Sequence, residues 1–88
     1  MYKQSENNTV FRRNLAHIIG KAISDCRRKR NISQSELALS AGVDRSYMGR
    51  IERGEVSITI EKLYRIANSL DCRIRDILPS SEEIYRHD

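Results

Sequence analysis

Arg45, Ser46 and Arg50 are the side chains of this chain best suited to directional hydrogen bonding with base edges. An arginine can donate two parallel bonds to O6 and N7 of guanine, a contact worth about 1–3 kcal/mol of discrimination. At roughly 100° per helical residue, Arg45, Ser46, Gly49, Arg50 and Arg53 share one sector, and Tyr47, Met48 and Ile51 lie opposite. A helix that merely faces solvent shows the same split, so the geometry permits base contact without requiring it. Ser46 could bond a base or a phosphate. Tyr47 lies at the edge of the apolar set, where a phosphate or sugar contact through its hydroxyl competes with simple packing. Gly49 costs about 1 kcal/mol relative to Ala inside a helix, and both close approach to DNA and neutral drift remain open for it.

Two short capped helices must position these groups. Ser33 followed by Glu36 is a capping box, so a helix is predicted to start at Gln34 and to stop at Ala41 before Gly42. Asp44 is the next N-cap, giving a second helix from Arg45 to Arg53, with Gly54 as its stop. Two short helices around a Gly-containing turn are the signature of a DNA-binding helix-turn-helix. Gln34, at a helix N-terminus where backbone amides favour an anion, is expected on a phosphate. Tyr47, Arg53, Ser57 and Thr59 are further candidates for backbone contact.

The remaining periodicity is helical throughout. Phe11, Leu15, Ile18, Ile19, Ala22, Ile23 and Cys26 form one apolar stripe on a first helix running from Val10 to Lys29 or Arg30. The run Arg27-Arg28-Lys29-Arg30 suits a helix C-terminus, a phosphate-binding patch or a nuclear localisation run. Thr59 caps a fourth helix carrying Ile60, Leu63, Ile66, Ala67 and Leu70; Asp71 breaks it, and a short fifth helix from Arg73 to Leu78 ends at Pro79. The fold class expected is all-α. Residues 1–9 read as a flexible tail in which Lys3 could graze DNA, 10–79 as the DNA-binding domain, and 80–88 as a C-terminal tail.

Eighty-eight residues allow one small domain with a modest core. The net charge of +4 is unevenly spread: residues 1–32 carry +6, residues 33–54 carry 0 and residues 55–88 carry −2. That asymmetry suits a polyanion on one face and another contact elsewhere, although a merely solvated charged surface would look similar. Cys26 and Cys72 lack metal-ligand spacing and are expected as buried thiols in a reducing cytosol. No apolar run approaches a membrane span and no signal segment opens the chain, so a cytoplasmic protein is expected. Asn7-Asn8-Thr9 matches a glycosylation sequon by chance. Nothing resembles a catalytic nucleophile, a paired-carboxylate site, a phosphate loop or a metal cluster, so neither enzyme activity nor a cofactor is expected. His17 reads as a boundary residue.

Gln34, Glu36, Leu37, Ala38, Gly42, Val43, Ile51, Glu52 and Gly54, with the Leu63/Ile66/Ala67/Leu70 helix, resemble the Cro/CI-type (XRE) helix-turn-helix family. Val43 to Tyr47 and Ile51 to Arg53 are similar to the controller proteins of bacterial restriction-modification systems. The resemblance covers roughly residues 12–78 and implies a five-helix, lambda-repressor-like domain. It also implies a pairing of Glu52 with Arg27 and points again to Gln34 as a phosphate contact. The chain departs from the family at Asp71-Cys72-Arg73, which lacks a good N-cap for the fifth helix, and at Gly49.

A single recognition helix reads few base pairs, so a homodimer on a palindrome with half-sites about 34 Å apart is expected. Leu70, Ile74, Ile77 and Leu78 are the interface candidates; the competing reading is that they close the monomer core. The function expected is a sequence-specific regulator of transcription on double-stranded DNA, with RNA polymerase as a partner if it activates; the resemblance to controller proteins implies restriction-modification genes as its targets. The alternative is an antitoxin-type interaction module that also binds DNA.

Overall fold

The computed structural model describes residues 5–86; Lys3 lies outside them. The helices are α1 (Ser5–Lys29), α2 (Gln34–Ala41), α3 (Arg45–Glu52), α4 (Ile60–Leu70), α5 (Ile74–Ile77) and α6 (Ser81–Arg86), with no strand among the described residues. The five expected helices are all present.

Their ends are set locally. The Ser33 hydroxyl accepts from the Glu36 amide at 3.0 Å while the Glu36 carboxylate accepts from the Ser33 amide at 2.8 Å, satisfying two donors that a helix start leaves unpaired. Asp44 accepts from the Ser46 and Tyr47 amides, and Thr59 from that of Lys62. Gly42 closes α2 at φ 69°, and Asp71 closes α4 at φ 55°, left-handed conformations that release the chain from the helix. Arg73 provides no side-chain cap for α5; that helix is held by Ile77, which is buried.

The core forms where α1 and α2 each pack against both α3 and α4. Ile23, Leu37, Met48, Ile51, Leu63, Ile66 and Leu70 are its fully buried side chains, joined by Ala38, Ala41 and Val43. Met48 and Ile51, expected on the apolar side of the recognition helix, are therefore inside, and Tyr47 at the edge of that set is half-buried. Gly20 lies where α1 crosses the end of α3. A Cβ there would collide with the Ile51 carbonyl oxygen and come within 2.8 Å of that of Glu52. The helix-propensity cost of this glycine is offset by the approach it permits.

Three features differ from the sequence expectation. The first helix starts at Ser5 rather than Val10, since no Gly or Pro interrupts the chain between residues 5 and 19. Residues 81–86, expected in the tail, form α6: Ser80 and Glu83 make a second capping box, Ile84 is buried, and the Asn14 amide donates to the Ile84 carbonyl at 2.8 Å. The rings of Phe11 and Tyr85 stand 5.4 Å apart, so α6 braces the first half of α1. Finally, Cys26 and Cys72, far apart in sequence, come together side by side. The left-handed turn at Asp71 brings Cys72 back against the end of α1, where Arg30 donates to the Asp71 carbonyl at 3.0 Å.

Candidate nucleic-acid interface

The Asp44 cap fixes the start of α3, and the burial of Met48 and Ile51 fixes its rotation. Arg45, Ser46 and Arg50 are consequently exposed on the outer face. The Arg45 Nε donates to the Ser35 hydroxyl at 3.1 Å, which holds the stem of that arginine against α2 and leaves its terminal nitrogens free for a bidentate contact. Ser35 was not distinguishable from any other exposed serine in the sequence, because its role depends on a residue ten positions away.

Gln34 is half-buried, and its Nε2 donates to the Glu52 Oε1 at 3.1 Å. An amide nitrogen carries two protons, so one remains available for an anion at the N-terminus of α2. Arg27 donates to the same carboxylate through Nε at 2.8 Å and Nη2 at 3.0 Å, and through Nη1 to the Ile32 carbonyl. The pairing implied by family resemblance is thus present. Burial raises the Glu52 pKa, but hydrogen bonds from Arg27, Gln34 and Ser24 and the charge of Arg27 outweigh it, and the net direction is down. The basic run at the end of α1 consequently divides. Arg27 is structural and Arg30 is tied to Asp71, whereas Arg28 lines a groove of about 600 Å³ together with Lys21 and Arg53.

Gly49 is buried. A Cβ on it would lie 3.2 Å from the Arg53 Nη1 and 3.4 Å from the Gln34 Oε1. The glycine therefore makes room for the side chains of two expected phosphate contacts. Arg53 is exposed and donates to the Glu55 carboxylate at 2.7 Å, with Arg50 a further neighbour at 3.9 Å. The Arg53 hydrogen bond holds the Glu55 carboxyl below the usual carboxylate range. Glu55 was not anticipated as a partner of both arginines.

Tyr47 is half-buried, with the Lys62 ammonium 5.0 Å from its ring centre, so packing accounts for much of its surface. Ser57 and Thr59 are exposed in the loop after α3, although the Thr59 hydroxyl is already engaged as the α4 cap. At the rear of the domain, Leu70 and Ile77 are buried within the monomer. This corrects their assignment as surface for a partner: the Asp71 turn folds α5 back so that both side chains point into the core. Ile74 is half-buried and Leu78 is 42 % exposed.

A helix-turn-helix family model matches residues 23–77. The chain belongs to the helix-turn-helix family. It is 30% identical over 64 residues to the control protein C.SmaI of Serratia marcescens, covering 73% of this chain and 76% of the relative. It is 38% identical over 58 residues to the transcriptional regulator SutR of Escherichia coli, covering 66% of this chain but only 33% of SutR. Among solved structures, the restriction-modification controller protein C.AhdI from Aeromonas hydrophila superposes with a TM-score of 0.70 at 30% identity, covering 72% of this chain and 96% of that one. The controller C.Esp1396I superposes at 0.69 with 28% identity, covering 84% of this chain and 96% of that one. This helix-turn-helix chain thus falls among DNA-binding transcriptional regulators, controller proteins included.

Proposed function

We propose that the chain is a sequence-specific regulator of transcription that binds double-stranded DNA as a homodimer on a palindromic operator and controls restriction-modification genes. The observation that carries this reading is the division of α3 into a buried face of Met48 and Ile51 and an exposed face of Arg45, Ser46 and Arg50. Arg45 and Arg50 read base edges in the major groove, with Ser46 as an auxiliary contact. Gln34, Arg53 and Ser57 hold the backbone on either side, with Tyr47 and Thr59 contributing less because their groups are partly engaged. Ile74 and Leu78 offer the surface for the second copy. Likeness to control proteins supports the restriction-modification role; a regulator of this kind acts in the cytoplasm, with RNA polymerase as a partner if it activates.

Selection of bound duplexes from a random pool tests this. The expected product is an inverted repeat with half-site centres about one helical turn apart. Recovery of sequences with no common motif would remove the specific-regulator reading.

A further inference from the structure

The first two-thirds of α1 and the whole of α6 lie outside the residues that match the family, 23–77. This first part of α1 has two faces. At about 100° per residue, Thr9, Arg12, Arg13 and Ala16 fall within roughly 100° of one another, while Phe11 and Asn14 point the opposite way. Phe11 and Asn14 are the residues that meet α6, through Tyr85 and the Ile84 carbonyl. The other face lines a groove of about 220 Å³ whose far wall is the loop after α3, including Gly54 and Ser57.

Arg12 and Arg13 are exposed and take part in no ion pair among the described residues. Elsewhere Lys21, Arg65 and Arg86 are each matched by an acid one turn away. The positions three and four residues from Arg12 and Arg13 hold no acid. Glu55, on the opposite wall, is already held by Arg53. Two adjacent uncompensated cations beside a loop expected to meet DNA form a continuous positive edge.

We infer that Arg12 and Arg13 form a phosphate clamp that carries the DNA contact beyond the α3–α4 loop, with α6 bracing the helix that presents it. The inference rests on the DNA-binding reading above. Phosphate neutralisation releases counterions, so each lost contact lowers the slope of log K against log salt by about 0.9.

The test is fluorescence anisotropy of a labelled mixed-sequence duplex, titrated with wild type, R12Q/R13Q and R75Q/R86Q between roughly 50 and 200 mM salt. The R12Q/R13Q slope should be smaller than that of the wild type by roughly 2. R75Q/R86Q, which loses the same charge on α5 and α6, should keep the wild-type slope. Thermal melting should be unchanged for both, since all four side chains are exposed. An R12Q/R13Q slope equal to the wild type, or an equal fall in the control, overturns the clamp while leaving the DNA reading standing. Failure of the wild type to bind the duplex at all overturns both.

Discussion

Arg27 of α1 and Glu52 of α3 form a two-bonded ion pair at 2.8 and 3.0 Å, with side chains only 12% and 5% exposed. Because Gln34 of α2 donates to the same carboxylate, one acidic group ties together the three helices that must hold the reading surface in register.

Removing one partner of so buried a pair leaves an uncompensated charge. Glu52→Ala should cost on the order of 3 kcal/mol, read by urea denaturation. Equal stability of the variant and the wild type would show that the pair contributes only as an exposed one does.

The pair also predicts a pH response. The folded-state pKa of Glu52 is depressed, so its contribution is fully present above the unfolded carboxylate value of about 4.3 and is lost as pH falls through the lower folded value. The melting temperature should drop through that acid window, and less steeply in Glu52→Gln. Parallel pH profiles for the two proteins would contradict the assignment.

The two helical glycines should respond in opposite ways. Gly20→Ala forces a Cβ into the backbone of α3 and should destabilise the fold by about 3 kcal/mol. Gly49→Ala meets only movable side-chain tips, so its stability should hold or rise by up to about 1 kcal/mol, while DNA affinity falls as Gln34 and Arg53 are displaced. Calorimetry and anisotropy on the same samples separate the effects. A destabilised Gly49→Ala with intact affinity would contradict a role for Gly49 in seating Gln34 and Arg53.

Leu78 is the most exposed apolar side chain among the interface candidates. Leu78→Asp should weaken self-association at least about tenfold, or about 1.4 kcal/mol, in sedimentation equilibrium, without altering the monomer fold. A wild type that is monomeric at micromolar concentration would remove the dimer.

The helix-turn-helix was legible because its determinants are local. Ser33 with Glu36, Gly42, Asp44 and Thr59 fix helix ends within a few residues of themselves, and the apolar spacing identified the buried faces, except at Ile60, which opens α4 and is 68% exposed. What escaped depends on distant partners. Nothing near Gly20 shows that Ile51 and Glu52 will lie against it, and nothing near Ser35 shows that Arg45 will reach it. Leu70 and Ile77 have the same sequence pattern whether they face a partner or the core; the direction of the Asp71 turn decides. The Ser80 and Glu83 capping box repeats the signal at Ser33, and it would have marked α6.

In the proposed function α3 reads base sequence while Gln34 anchors the backbone. Competition between a selected duplex and random duplex, measured for wild type, Arg45→Ala and Gln34→Ala, tests it most directly. Arg45→Ala should lose about 1–3 kcal/mol of discrimination, whereas Gln34→Ala should weaken binding to both duplexes alike and keep the wild-type ratio. Unchanged discrimination in Arg45→Ala would contradict it.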